Sequence, residues 1–69
     1  MTLAIRVNGE ERPLDAETLA ELLPRVGIDI ATRGIAIAVN GAVVPRAAWP
    51  ITRLSPNDAI EIVRPYRGG

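Results

Sequence analysis

Ile35-Ala36-Ile37-Ala38-Val39-Asn40-Gly41-Ala42-Val43-Val44 is the stretch that decides the fold of this 69-residue chain. Its first part alternates isoleucine and valine with alanine, the period-two pattern of a strand with one buried face. The Asn40-Gly41 pair then predicts a two-residue hairpin turn, because both positions tolerate a positive φ. The chain returns through Ala42-Val43-Val44, and Pro45 stops the strand. The stretch therefore predicts an antiparallel hairpin.

A second hairpin with the same turn is predicted near the start of the chain. Leu3, Ile5 and Val7 occupy alternate positions, and Asn8-Gly9 follows them. The returning segment contains Pro13, which lacks an N–H and is tolerated at a sheet edge. We therefore expect the returning strand to lie at one edge of the sheet.

One helix is predicted between the hairpins. Thr18-Leu19-Ala20-Glu21 fits a capping box, in which Thr18 caps the helix and Glu21 reaches back. Gly27 is a plausible terminating residue. Four apolar residues lie at helical spacing on one face: Leu19, Leu22, Leu23 and Val26. Pro24 costs the bond to the Ala20 carbonyl, about 3 kcal/mol. We expect a helix of about two turns that is distorted or ends near Pro24.

Residues 46–58 are rich in proline and small polar residues and predict a loop with at most one turn of helix. Trp49 is interpreted as a lid over a small core, and Leu54 as an anchor for the loop. Ile60 and Ile62 then alternate with other residues in a final strand.

The order of these elements predicts an α+β fold, a β-grasp or ubiquitin-like roll. A mixed sheet of about five strands would curl over the single helix, with the first and last strands paired in parallel. Residues 1–64 would form this domain and residues 65–69 a flexible tail. Seven side chains are expected to face the helix: Leu3, Ile5, Val7, Ile37, Val39, Ile60 and Ile62.

The composition excludes several classes of function. Cysteine and histidine are both absent, which excludes disulfides, a thiol nucleophile and a β-grasp ferredoxin and removes the commonest metal ligands. The absence of histidine also removes the commonest general base, and we expect no metal site. Eight basic and eight acidic residues give no net charge, so no nucleic-acid partner is predicted. No apolar run approaches membrane-spanning length and no signal peptide is recognised, so we expect a cytoplasmic protein without a membrane partner.

The outer face of the predicted sheet carries little charge. Six side chains should point away from the helix: Ala4, Arg6, Ala36, Ala38, Glu61 and Val63. Such a face is unusually apolar for a sheet with one side in water. We hypothesise that it docks partner proteins through Ala36 and Ala38. The alternative is that alanines merely tolerate exposure.

The chain ends in Gly68-Gly69, which can pass through a channel too narrow for larger residues and leaves the terminal carboxyl carbon unhindered. A frayed terminus is the alternative interpretation, since chain ends are commonly disordered. Tyr66 and Arg67 are either contacts for a partner or solvated tail residues. Arg64 is interpreted as a surface charge at the end of a strand.

Taken in order and spacing, these features resemble the ThiS family, the sulfur carriers of thiamine thiazole biosynthesis. The resemblance covers nearly the whole chain and rests on residues 18–23, 34–41, 43–46, Trp49, Asn57-Asp58, 60–63 and Gly68-Gly69. Pro24 and the turn Ser55-Pro56-Asn57-Asp58, which lacks the expected glycine, depart from the family pattern.

The resemblance implies a carrier protein and not an enzyme. A ThiF-type adenylating enzyme would use ATP to activate the Gly69 carboxylate, and a persulfide from a donor such as a cysteine desulfurase would convert it to a thiocarboxylate. A ThiG-type thiazole synthase would then take the sulfur. Gly69 would carry the sulfur, Gly68 would allow access to the partner's active site, and no cofactor would be bound by the chain itself.

Three alternatives remain open at this stage. The small subunit of molybdopterin synthase carries sulfur on a similar tail, although such chains are usually longer. A ubiquitin-like modifier would form isopeptide bonds, and the absence of lysine disfavours only chains of this protein with itself. A binding module without chemistry would tolerate deletion of Gly69.

Overall fold

The computed structural model describes residues 3–64, which form a mixed sheet and one α-helix. Along the chain the elements are β1 (Ala4–Val7), β2 (Glu10–Pro13), α1 (Leu19–Arg25), β3 (Ala36–Val39), β4 (Ala42–Val44), a 3₁₀ helix (Arg46–Ile51) and β5 (Ala59–Val63). The five strands lie in the order β2-β1-β5-β3-β4. The predicted α+β, β-grasp fold is confirmed.

The last strand lies in the middle of the sheet. β5 pairs in parallel with β1 through Arg6↔Ala59 and Val7↔Ile60. On its other side it runs antiparallel to β3, from Val39↔Ile60 to Ala36↔Val63. The predicted parallel pairing of the first and last strands is confirmed, and the strand that leads to the tail is held on both sides.

Both predicted hairpins form through turns with almost identical φ angles. Asn8 and Gly9 have φ of 51° and 84°, and Asn40 and Gly41 have φ of 52° and 85°. Positive φ at both central positions is the type I′ geometry, whose twist matches that of the flanking strands. β2, with Pro13, lies at one edge of the sheet as expected.

Helix α1 is capped at its start by Thr18, whose Oγ1 accepts a hydrogen bond from Glu21 N at 3.3 Å. Glu21 also reaches back, but its Oε1 accepts from Glu17 N at 3.2 Å and not from the Thr18 amide. The helix passes through Pro24 and ends one residue later at Arg25. It therefore has seven residues, which confirms the predicted short helix.

The end of α1 explains the burial of a residue that the helical pattern did not indicate. Gly27, with φ of 81°, donates to Pro24 O, and Ile28 N donates to Leu23 O at 2.9 Å. These two bonds form a Schellman motif, which turns the residue after the glycine back onto the helix. Ile28 accordingly packs into the core with an exposed fraction of 6%.

The core is aliphatic apart from Trp49. The most deeply buried side chains have exposed fractions of 1% or less: Ile5, Leu19, Leu22, Leu23, Ile37, Trp49 and Ile60. The prediction that Leu3 faces the helix is wrong, since this side chain is 50% exposed. β1 begins only at Ala4, so Leu3 lies beyond the end of the strand.

Residues 46–51 form a 3₁₀ helix of six residues, so the expectation of at most one helical turn is wrong. Trp49 lies within this helix and anchors it to the core. Its indole is buried, and its Nε1 donates to Val44 O at 2.9 Å. The Arg46 guanidinium stacks 4.5 Å from the centre of the ring. The structural role predicted for Trp49 is confirmed, although its side chain lies within the core and not over it, and Leu54 packs against that core as expected.

Candidate functional site

The predicted tail contacts fall outside the described residues. Tyr66, Arg67, Gly68 and Gly69 all follow Arg64, the last residue that the structure describes. Their assigned roles therefore stay predictions. What the structure gives is the position at which the tail begins, directly after the central strand β5.

The Asn8 side chain holds the end of β5 on the side of β1. Asn8 N donates to Ile60 O at 2.9 Å. Its side-chain Oδ1 accepts from Ile62 N at 2.8 Å, and its Nδ2 donates to Ile62 O at 3.2 Å. One side-chain amide thus occupies both polar groups of the Ile62 backbone.

The Asn40 side chain acts at the opposite end of β5. Its Oδ1 accepts from Ala59 N, and its Nδ2 donates to Asp58 Oδ1, both at 2.9 Å. Asp58 also accepts from Ser55 N through Oδ2 at 2.7 Å. Asn57 takes a positive φ of 71° in this turn. Asparagine tolerates that conformation, which explains how the turn before β5 forms without the expected glycine.

Strand register brings four small or apolar side chains together on the outer face of the sheet. Ala36 lies opposite Val63, and Ala38 lies opposite Val43. Val43 and Val63 are 75% and 62% exposed, Ala36 is exposed and Ala38 is half-buried. We refer to Ala36, Ala38, Val43 and Val63 as the apolar patch.

Three members of the apolar patch were predicted from the sequence, whereas Val43 was not. A signal for Val43 was present. A two-residue turn at Asn40-Gly41 fixes the register of β3 against β4, and that register puts Val43 opposite Ala38. Of the other predicted outer residues, Ala4 is half-buried, and Arg6 and Glu61 are exposed.

Glu61 of β5 lies opposite Ala38 and borders the apolar patch, and the other charged side chains of the outer face lie on β1 and β2. Arg6 lies opposite Glu11 of β2 and opposite Ala59 of β5, so Glu61 is its diagonal neighbour. The ion pairs among residues 3–64 join Arg25 to Asp15 and Arg53 to Glu17, and involve neither Arg6 nor Glu61. Both side chains line a shallow cleft together with Asn8 and Gly9.

A second cleft lies where the tail begins. It is lined by Arg64 of the strand end and by the loop between α1 and β3, through Gly27, Ile28, Asp29, Thr32 and Ile35. Arg64 is exposed, which agrees with its interpretation as a surface charge at the strand end. The cleft offers both the Asp29 carboxylate and the Arg64 guanidinium.

Neither a metal site nor a spanning helix is found in residues 3–64. This part of the chain contains no group of three or more acidic, histidine or cysteine side chains that could hold a metal ion. None of its helices has the length and hydropathy needed to cross a membrane.

Comparison with known proteins gives consistent matches. The sequence model of the ThiS family matches residues 5–69. The sulfur carrier protein ThiS of Thermus thermophilus is 33% identical over 63 residues, which cover 91% of this chain and 95% of that protein.

Two solved structures from Geobacter metallireducens match the fold. The crystal structure of its thiamine biosynthesis protein (ThiS) superposes with a TM-score of 0.76 at 30% identity, covering 97% of this chain and 100% of the other. A solution structure of a thiamine biosynthesis protein has a TM-score of 0.74 at 26% identity, covering 100% of this chain and 88% of the other.

Proposed function

We propose that this chain, which belongs to the ThiS family of sulfur carriers, carries sulfur as a thiocarboxylate on Gly69 for thiamine biosynthesis. The observation that carries the proposal is the extent of the family match, which runs through Gly68 to Gly69. The resemblance seen in the sequence pointed to the same residue.

Activation of the Gly69 carboxylate requires a partner, because a carboxylate is a poor electrophile. A ThiF-type enzyme would attach AMP from ATP to the carboxylate and release pyrophosphate. The terminal sulfur of a protein persulfide, supplied by a cysteine desulfurase or a similar donor, would then displace AMP. A thiol would cleave the sulfur–sulfur bond, leaving a thiocarboxylate on Gly69 and a disulfide on the donor side.

In this proposal the chain is a substrate of other proteins. ATP is consumed by the adenylating partner, and a ThiG-type thiazole synthase takes the sulfur from Gly69. The chain needs to supply only a recognisable surface and a narrow tail. Gly68 serves the second need, because it has no side chain to obstruct passage into the partner's active site. Tyr66 and Arg67 would contact the partner on the way.

The apolar patch is well placed to serve as the docking surface. Val63 belongs to the patch and precedes Arg64, after which the tail begins. A partner that covers the patch would therefore lie next to the start of the tail. Residues 65–69 can extend at most about 17 Å from that point, so a docking surface close to the strand end is needed.

The test is the intact mass of the chain after incubation with ATP, the adenylating enzyme and the sulfur donor. We expect a gain equal to the replacement of one oxygen by sulfur, and its loss when Gly69 is deleted. Tandem fragmentation should place the added sulfur on Gly69. An unchanged mass with enzymes proven active on another carrier would contradict the proposal and favour a modifier or a binding module.

A further inference from the structure

The pairing between β1 and β5 is extended by a side chain at the point where β1 leaves the sheet. Regular pairing of these strands ends at Val7↔Ile60, because the chain then enters the Asn8-Gly9 turn. The next pair of β5 polar groups on that side belongs to Ile62. Both groups bond the Asn8 amide, at 2.8 Å and 3.2 Å. The side chain therefore replaces a backbone peptide group and adds one rung to the ladder.

This rung is the last one on the β1 side before the tail. Ile62 is followed by Val63, which pairs with Ala36 of β3, and then by Arg64. Without the Asn8 amide, the end of β5 would be held from the β3 side alone. Val63 of the apolar patch and the start of the tail would then follow a strand end that is hydrogen-bonded on one side only.

We propose that Asn8 is a positioning residue that fixes the end of β5, and with it the point from which the tail is presented to the adenylating partner. The hydrogen bonds between Asn8 and Ile62 show how the end of β5 is held. The consequence for presentation of the tail rests on the proposed function. Asn8 does not touch the reacting carboxylate in this account; it acts through Ile62.

Asparagine suits this position for two separate reasons. It tolerates the φ of 51° that the turn requires. Its amide also carries an acceptor and a donor together, which is what a backbone N–H and C=O need. Aspartate keeps the turn and the acceptor but loses the donor, and glycine keeps only the turn. These two substitutions separate the role in the turn from the role at Ile62.

Asn40 provides a matched control within the same protein. It has the same position in the second Asn-Gly turn, with φ of 52°. Its side-chain amide also bonds β5, but at Ala59 N, at the start of the strand. Asn40→Gly therefore removes an equivalent amide from the end of β5 that is remote from the tail.

The first readout is amide hydrogen exchange in the free protein. In Asn8→Gly we expect the Ile62 amide to exchange about tenfold faster or more, because it loses its acceptor and the neighbouring carbonyl loses its donor. In Asn40→Gly the increase should fall on Ala59 and leave Ile62 protected. An unchanged rate at Ile62 in folded Asn8→Gly would overturn the inference, whatever the outcome of the sulfur-transfer assay.

The second readout is the steady-state rate of pyrophosphate release by the ThiF-type enzyme with each variant as substrate. We expect Asn8→Gly to raise KM for the carrier about threefold to tenfold with kcat nearly unchanged, because Asn8 affects presentation and not the reacting atoms. Asn40→Gly, compared at equal folded fraction, should keep the KM of the unaltered chain. Equal KM values for the two variants would overturn the positioning role.

Asn8→Asp completes the test and guards against loss of folding in the glycine variant. It retains an acceptor for the Ile62 amide, so exchange and KM should both lie between those of the unaltered chain and Asn8→Gly. If the Ile62 amide exchanges faster in Asn8→Asp while KM equals that of the unaltered chain, the link between the Asn8–Ile62 hydrogen bonds and presentation of the tail is overturned. If the unaltered chain is not adenylated at all, the proposed function fails while the exchange measurement still decides the role of Asn8.

Discussion

The two hairpins of this protein share a turn and differ in what they show to the outside. Their central residues agree in φ within 1° at both positions. Each also contributes an isoleucine, Ile5 or Ile37, that is 1% exposed in the common core. The β1–β2 hairpin presents Arg6 and Glu11 on its outer face, whereas the β3–β4 hairpin presents Ala36, Ala38 and Val43. The same local structure therefore supports a charged surface in one place and an apolar surface in another.

The free edges of the two hairpins are also protected by different means. β2 carries Glu10, Glu11 and Pro13, and both charge and proline discourage another strand from adding to the sheet. β4 has only three residues, and so short an edge offers little to an added strand. The apolar hairpin thus relies on a short edge, which leaves its outer face open to a partner.

Because both hairpins bury an isoleucine in the same core, substitutions of these isoleucines should have the largest effects on stability. Ile5→Ala and Ile37→Ala should each lower the free energy of unfolding by about 2–5 kcal/mol, because each leaves a cavity in the same core. Val43→Ala, at a side chain that is 75% exposed, should change it by less than about 0.5 kcal/mol. Chemical denaturation measures all three, and a small loss at either isoleucine would show that the hairpins do not share the core equally.

The apolar outer face of the β3–β4 hairpin predicts that charged substitutions there weaken partner binding without unfolding the protein. Ala36→Glu with Ala38→Glu should weaken affinity for the adenylating enzyme about tenfold to a hundredfold, because the new charges would be buried without partners in an apolar contact. The pair Ala31→Glu and Ala47→Glu adds the same charge at exposed alanines away from the sheet. Titration calorimetry with both double variants decides the matter, and equal affinities would contradict the docking role of the patch.

The shared turn predicts a smaller effect of equal size in both hairpins. Gly9→Ala and Gly41→Ala should each cost about 1–2 kcal/mol of stability, because an L side chain is strained at positive φ. An added Cβ would meet no atom within 4 Å at either site, so crowding does not contribute. Thermal unfolding compares the two variants directly. Clearly unequal losses would show that the turns differ in more than their angles.

The charged half of the outer face predicts the smallest effect. Arg6→Ala should change affinity for the adenylating enzyme by at most about fivefold, and less at high salt, because exposed charges at the rim of an interface contribute little. Titration at two salt concentrations checks this. An effect as large as that of the double glutamate variant would place Arg6 at the centre of the contact and would contradict the division of the face.

Much of the fold could be predicted because it depends on neighbouring residues. The alternation around Ile37 and Ile60, the two Asn-Gly turns and the Thr18 cap are each contained within a few residues, and all are present in the structure. The roles of Gly68 and Gly69 came from the resemblance to the ThiS family over nearly the whole chain, and they stay predictions. The expectation for Leu3 failed because alternation does not say where a strand begins.

The amino-acid sequence by itself determined the strands, the α-helix and the two hairpin turns, since backbone preference and side-chain alternation act over short distances; the carrier role of Gly69 is implied by the family resemblance and stays a prediction. Only the tertiary structure decided which groups meet across the sheet. Asn8 and Ile62 are 54 residues apart, and they bond because the strand order places β5 beside β1. Val43 joins Val63 in one patch for the same reason, through β3 between them. The Asn40-Gly41 turn contains the register of β3 against β4, whereas the registers of β5 against β1 and against β3 are contained in no local pattern.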